Sequence, residues 1–283
     1  TLAAGTTLGN TGTITLGDSS VGLYGSNTAT NYTTSNSGTI TVGNNGIAMF
    51  GYASDVTGGT ITVGDKGVGV YSQAGNVNLT GGNIVTGANE AVAVYTVGSG
   101  QTITNSGTTF TLGNSSVAIA NAGSGNTINS TIGSANLGTV TNSTNLTSIN
   151  GGNYGLYSAG TVTNTGNMNF GTGEGNVGIY SIRGGNATNS GTITIGASDP
   201  SSNLYSIGMA AGYRTTDTGN ITNNGTINVN GEYSLGMYAS GVGSTATNNS
   251  NIVLNANNTT GIYADNGATA VNTGNITTGS GTY

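Results

Sequence analysis

The chain has 283 residues, of which 53 are glycine, and its formal net charge is −6 with only 4% of residues charged. Without cysteine or histidine it lacks the residues for a thiolate nucleophile, a disulfide, a zinc site or a Ser-His-Asp triad. Its three basic residues are too few to neutralise a nucleic-acid backbone, and no apolar run approaches the length of a membrane span.

One phrase recurs along the chain: Asn-x-Gly-x-Ile-x-Val-Gly, then a polar turn and a short apolar segment that ends in tyrosine. Each copy has one aligned apolar position after its glycine, and in chain order these positions are Ile14, Ile40, Ile61, Ile84, Phe110, Leu146, Met168, Ile193, Ile227, Ile252 and Ile276. Eight of the ten intervals are 21 to 26 residues long, and the other two are 36 and 34. A nearly constant period predicts stacked supersecondary units.

Within each copy, apolar residues alternate with threonine, serine, asparagine or glycine, which is the pattern of β-strands. In the third copy, this alternation predicts that Val56, Ile61, Val63, Val68 and Val70 point inward and that Gly69 points outward. Frequent glycine makes helices unfavourable. The sequence therefore predicts an all-β fold, a right-handed parallel β-helix (β-solenoid) of about eleven coils with 21–26 residues per regular coil.

Two further columns follow from the alignment. An asparagine opens most copies, and stacked amides can hydrogen-bond from coil to coil. We therefore expect a structural ladder in which Thr57 and Thr80 replace asparagine in two coils. Its asparagines are Asn10, Asn36, Asn105, Asn142, Asn164, Asn189, Asn223, Asn248 and Asn272. An aromatic column at the surface or an edge is expected from Tyr24, Phe50, Tyr71, Tyr95, Tyr157, Tyr180, Tyr238 and Tyr263. Such a column stabilises a flat face, and aromatic stripes can also bind sugars.

These copies resemble the passenger regions of large autotransporter adhesins, most closely the monomeric (type Va) fusobacterial class. The resemblance is clearest at residues 36–50, 55–71, 161–180 and 187–195. The resemblance implies a β-helix that is exported through the outer membrane, anchored there by a C-terminal barrel outside this sequence, and displayed at the cell surface. It implies a host-cell receptor or glycan, or the surface of partner bacteria, as the partner. We accordingly interpret residues 1–283 as one monomeric β-helix segment of a longer passenger, with no membrane span of its own and no cofactor.

Two other functions stay open as alternatives. Some β-helices are polysaccharide lyases or hydrolases, and hydrolysis requires carboxylates close together. Five of the nine acids instead fall in the same turn of different coils: Asp18, Asp65, Glu90, Glu174 and Glu232. Thr-x-Thr pairs such as Thr39 and Thr41 suggest an ice-binding row, but Asn83 and Val85 interrupt it. We therefore expect neither catalysis nor ice binding.

The two long intervals predict insertions, around 121–139 and around 197–219. Loops carry function on regular scaffolds, and tyrosine and arginine are the residues that anchor interfaces. The second insertion contains both residue types, and Arg183 lies one coil earlier. The predicted partner-binding residues are Tyr205, Tyr213, Arg214, Asp217 and Arg183.

Overall fold

The computed structural model describes residues 5–25, 32–122, 138–215 and 217–279. Every ladder among the strands of these residues is parallel, and each strand pairs with an equivalent strand in a neighbouring coil. The fold is a right-handed parallel β-helix, as the sequence predicts, with the hand that parallel crossover connections take. The described residues form ten complete coils and the first two strands of an eleventh.

Each coil has three faces. The first face contains β1 (Thr7–Asn10), β4 (Thr33–Asn36), β7 (Ala53–Val63), β9 (Val77–Val85), β11 (Thr102–Asn105), β14 (Thr139–Asn142), β17 (Thr161–Asn164), β20 (Gly185–Asn189), β23 (Gly219–Asn223), β26 (Thr245–Asn248) and β29 (Thr269–Asn272). The second face contains β2 (Thr13–Thr15), β5 (Thr39–Val42), the ends of β7 and β9, β12 (Thr109–Thr111), β15 (Leu146–Thr147), β18 (Met168–Phe170), β21 (Thr192–Ile195), β24 (Thr226–Val229), β27 (Asn251–Leu254) and β30 (Asn275–Thr278). The third face contains β3 (Val21–Tyr24), β6 (Ile47–Gly51), β8 (Val68–Ser72), β10 (Val92–Thr96), β13 (Val117–Asn121), β16 (Tyr154–Ser158), β19 (Val177–Ser181), β22 (Ile207–Ala211), β25 (Leu235–Ser240) and β28 (Thr260–Asp265).

The aligned apolar position lies in the second face and forms the centre of the core. Ile40 pairs with Ile61 and Ile61 with Ile84, and all three side chains are fully buried. The same column continues through Ile193 and Ile227 in the later coils. One apolar residue per coil at this point, stacked on its equivalents, is what the repeat predicts.

The asparagine ladder is present at the corner between the first two faces, and its members are buried except for Asn272 in the last coil. Each Nδ2 donates to the Oδ1 of the asparagine in the next coil at 2.8–3.0 Å, in the pairs Asn10–Asn36, Asn105–Asn142, Asn142–Asn164, Asn164–Asn189, Asn189–Asn223, Asn223–Asn248 and Asn248–Asn272. The amide also closes its own turn, as when Asn164 Nδ2 donates to the carbonyl oxygen of Gly166 at 2.8 Å. The ladder is therefore structural.

The placement of Thr57 and Thr80 in this ladder is wrong by one residue. Strand pairing aligns Val56 with Asn36, and Leu79 with both Val56 and Asn105. β7 and β9 continue through the corner as single strands, and the buried position there is occupied by an apolar residue, Val56 or Leu79. Thr57 follows it and donates its hydroxyl to the backbone oxygen of Asn36 at 3.3 Å.

The third face corrects the expectation for Val68 and Gly69. In β8, Val68 is half-buried, Gly69 and Val70 are both buried, and Tyr71 is half-buried again, so two consecutive residues face the core. A Cβ at Gly69 would lie 2.5 Å from the carbonyl oxygen of Ala93 in the next coil. The equivalent residues are all small: Gly22, Ala48, Ala93, Ala118, Gly155, Gly178, Gly208, Gly236 and Gly261.

Of the two predicted insertions, only the second lies within the described residues over most of its length. Most of 121–139 lies outside the described residues. The range 197–219 includes β22, a regular strand of the third face, with a loop on either side of it. We call residues 196–206 the first loop and the described residues 212–215 and 217–218 the second loop. A short 3-10 helix (Pro200–Ser202) lies in the first loop, where the Asp199 carboxylate accepts from the backbone nitrogens of Ser201 and Ser202.

Candidate functional site

The aromatic column runs along the outside of the third face, as the alignment predicts. Tyr24 stacks on Phe50 with ring centroids 5.1 Å apart, and Phe50 stacks on Tyr71 at 5.0 Å. Farther along, Tyr157 contacts Tyr180 edge to face at 5.5 Å, and Tyr238 stacks on Tyr263 at 5.9 Å. These distances are typical of favourable aromatic pairs.

Alanine interrupts the column twice. Ala120 is in register between Tyr95 and Tyr157, and Ala210 is in register between Tyr180 and Tyr238. The two alanines are three coils apart, or about 14 Å along the axis at the usual strand spacing. Where a ring is missing, the neighbouring tyrosines become the walls of a cleft.

Cleft A surrounds Ala120 and has a volume of about 490 Å³. Its walls include Tyr95, Tyr157, Arg183 and Asp217. Cleft B surrounds Ala210, has a volume of about 440 Å³, and includes Tyr205, Arg214, Tyr238 and Asp265 among its walls. The two clefts share three tyrosines, Tyr154, Tyr180 and Tyr213, and are therefore adjacent; we call the two clefts together the groove.

The groove continues beyond cleft B. A further hollow of about 410 Å³ lies along β22, β25 and β28 and shares Tyr205, Ile207 and Tyr238 with cleft B. Tyr238 is fixed there because its hydroxyl donates to the Asp265 carboxylate at 3.2 Å.

All five predicted partner-binding residues line this groove. Arg183 and Asp217 are in cleft A, Tyr205 and Arg214 are in cleft B, and Tyr213 borders both. They come from separate parts of the chain: Arg183 follows β19, Tyr205 belongs to the first loop, and the other three belong to the second loop.

Local hydrogen bonds hold the second loop against the coil before it. Tyr213 and Asp217 pair through their backbones as an antiparallel bridge. The Asp217 carboxylate accepts from the backbone nitrogen of Arg183 at 2.6 Å, and the Tyr180 hydroxyl donates to the carbonyl oxygen of Gly212 at 2.9 Å. The second loop is thus part of the groove wall.

The side chains of the groove present both aromatic surface and charge. The Arg214 guanidinium lies 4.9 Å from the centre of the Tyr213 ring, within cation–π range. Tyr213 is 51% exposed and Tyr205 is 42% exposed. The Arg183 guanidinium donates to the carbonyl oxygen of Ala122 at 3.1 Å, which directs it across cleft A.

Burial changes the titration of the central tyrosines. Desolvation raises the pKa of Tyr154 and Tyr180 above the ordinary tyrosine value of 10.0. Nearby tyrosines and Asp217 raise the pKa of Tyr180 further. These phenols are therefore neutral at physiological pH and serve as walls and hydrogen-bonding groups.

Acidic residues outside the groove are engaged in the turns between coils. Asp18 accepts from the backbone nitrogen of Asn44 at 2.8 Å, and Asp65 accepts from Asn89 through both backbone and side chain. Within the described ranges no three histidine, cysteine, aspartate or glutamate residues come together as a metal site. Two members of the turn row predicted from the sequence, Asp18 and Asp65, thus connect neighbouring coils.

Sequence reasoning missed three residues that shape the groove: Ala120, Ala210 and Tyr154. The two alanines were detectable as gaps in the aligned aromatic column. Tyr154 stands outside that column, three residues before Tyr157, and its ring packs on Tyr180 at a centroid distance of 6.0 Å. The repeat pattern does not show this ring contact, because Tyr154 pairs in register with Val177 and reaches Tyr180 only through its side chain.

Residues 53–275 match the family model described as the BigA third pectate lyase-like domain. The chain belongs to this family. The comparisons with curated proteins and with solved structures found no match. The family and the β-helix together fit a passenger-type domain of a bacterial surface protein. In the described part of the chain, no helix has the length and apolar character to cross a membrane.

Proposed function

We propose that this domain is an adhesive segment of a bacterial surface protein, the passenger of a type Va autotransporter of the fusobacterial kind, anchored in the outer membrane outside this sequence. Family membership and the regular rod support this proposal. The observation that carries it is the groove, because the chain places exposed Tyr213 and Tyr205 together with two of its three basic residues there. Exposed tyrosine and arginine in one concave region are typical of recognition surfaces.

We further propose that residues 1–283 act as one monomeric unit that binds and does not catalyse. The partner is a receptor or glycan of a host cell, or the surface of a partner bacterium. The hydrogen bonds that occupy Asp217 and Asp265 support a role in shaping the groove. Rigid coils on both sides of the groove would hold its walls in place without an ordering cost on binding.

The test is attachment of the purified, labelled domain to epithelial cells and to oral bacteria, measured beside a variant with Tyr213→Ala and Arg214→Ala. We expect the variant to lose at least about tenfold in attachment, because both exposed anchors are removed. Lys66→Ala is the matched control, since Lys66 is an exposed basic residue in a turn outside the groove. Absence of attachment by the unaltered domain would contradict the adhesive function, and full attachment by the double variant would contradict the contact residues.

A further inference from the structure

The groove has the dimensions of a small-ligand site. Clefts A and B measure about 490 and 440 Å³, within the range of roughly 300–1,000 Å³ that is usual for such sites. Protein partners, in contrast, generally require a broad surface with a desolvated apolar centre. The described faces on either side of this groove are regular strand surfaces rich in threonine and asparagine.

Seven tyrosines are among the residues that line the two clefts. Tyr154, Tyr157 and Tyr180 meet in mixed edge-to-face and stacked arrangements, with centroids 5.5–6.2 Å apart. The face of an aromatic ring carries partial negative charge, so it attracts C–H groups with partial positive charge. A pyranose ring presents such C–H groups on one face and hydroxyls around its rim.

The charges of the groove are balanced cleft by cleft. Cleft A contains Arg183 and Asp217, and cleft B contains Arg214 and Asp265. An arginine supplies donors only and a carboxylate supplies acceptors only, whereas a hydroxyl can both donate and accept. A polyanion would gain from the arginines but would be repelled by the aspartates. Paired opposite charges therefore fit a neutral ligand rich in hydroxyls.

The two gaps also suggest the length of the ligand. Ala120 and Ala210 are three coils apart in an unbroken register. Tyr154, Tyr180 and Tyr213 lie between the clefts and border both. A ligand that occupies both clefts must therefore be extended and must lie along the axis of the rod.

We propose that the groove binds a neutral oligosaccharide chain, with sugar rings seated in the clefts at Ala120 and Ala210 and against the tyrosines between them. The proposal rests on the adhesive function and names its ligand class. Arg183 and Arg214 donate to sugar hydroxyls, Asp217 and Asp265 accept from them, and no bond of the sugar is cleaved.

Calorimetric titration of the purified domain with neutral hexasaccharides (maltohexaose, cellohexaose, mannohexaose), and with oligogalacturonate and a heparin hexasaccharide as acidic probes, tests the ligand class. We expect a neutral probe to bind and the acidic probes to bind at least tenfold more weakly. Ala120 and Ala210 are only 5% and 3% exposed, so Ala120→Phe with Ala210→Phe would have to displace the tyrosines above them and should abolish binding. Tyr213→Ala, at a 51% exposed side chain that can be truncated without unfolding, should weaken binding at least tenfold. Tyr24→Ala, at a 59% exposed ring of the same column outside the groove, should not.

Cell attachment separates this proposal from the one on which it rests. Periodate oxidises the vicinal diols of cell-surface glycans, and we expect it to abolish attachment of the unaltered domain. Attachment that survives periodate and is lost only after protease treatment would overturn the glycan proposal while leaving the adhesive function intact. Failure of every neutral probe, preference for an acidic probe, or equal binding by Tyr213→Ala and the unaltered domain would also overturn it.

Discussion

At the scale of single residues, the corner asparagine does two things at once. Its Nδ2 closes the turn of its own coil and also reaches the next coil, so each side chain of the ladder depends on its neighbours. The position does not need asparagine for its shape, because Leu79 occupies it fully buried in another coil. What distinguishes Asn164 from Leu79 is therefore the hydrogen bonding and not the volume.

Asn164→Leu should lower the free energy of unfolding by about 2–4 kcal/mol. The substitution leaves the buried Nδ2 of Asn142 and Oδ1 of Asn189 each without the Asn164 partner. Urea denaturation measures the loss. Asn230→Ala is the control, because Asn230 accepts from Asn255 in an exposed amide pair, and such a change costs at most about 0.5 kcal/mol. Equal effects of the two substitutions would show that the buried ladder contributes no more than a surface pair.

At the scale of the strand, the third face departs from simple alternation. Two consecutive residues face the core, and the first of them also lies against the next coil. At Gly208 an added Cβ would be 2.6 Å from the carbonyl oxygen of Gly236 and 2.7 Å from Ile227 Cγ2. Alanine occurs at the equivalent positions 48, 93 and 118, so coils can adjust to one methyl group.

Gly208→Val should destabilise the fold by about 1–3 kcal/mol through overpacking, and Gly208→Ala should cost less. Strand propensity alone predicts the opposite, since valine is the better strand former. The urea midpoints of the two variants distinguish these expectations. As a control, Gly12→Ala should be nearly neutral, because a Cβ there meets no atom within 4 Å. A Gly208→Val variant as stable as the unaltered domain would show that the coils are not packed tightly here.

How much the sequence predicts depends on whether a feature repeats. The apolar column, the asparagine ladder and the aromatic column recur in nearly every coil, so the alignment finds them and the β-helix follows. Thr57 and Gly69 were misassigned because each assignment depends on a local change of strand geometry: a corner without a turn in β7, and a doubled inward position in β8. For the groove, the sequence indicated the loop residues but not the alanines between the aromatic rings. The two loops of the groove lie in the single 34-residue interval of the repeat. The alanines at its floor, Ala120 and Ala210, gain significance only when the neighbouring rings have been placed.

At the scale of the whole molecule, the domain is a rod with very little charge. Lys66 pairs with Glu90 of the next coil at 3.5 Å, but both side chains are more than 60% exposed, and such a pair contributes little. The other two basic residues line the groove, each in a cleft that also contains an aspartate. The long-range field of the rod is consequently weak, and encounter with a partner does not depend on electrostatic steering.

Attachment should therefore change by less than about twofold between roughly 0.05 and 0.5 M sodium chloride, a range over which the Debye length falls severalfold. Recognition by stacking and by hydrogen bonds inside the groove is insensitive to that screening. Labelled domain bound to epithelial cells, measured across the salt series, gives the result directly. A variant with Thr13→Lys and Thr15→Lys supplies the positive control, because both threonines are exposed on the second face and the added lysines would be attracted to anionic cell surfaces. Its attachment should fall steeply with salt. An equally steep fall for the unaltered domain would mean that charge, and not the tyrosine-lined groove, drives attachment.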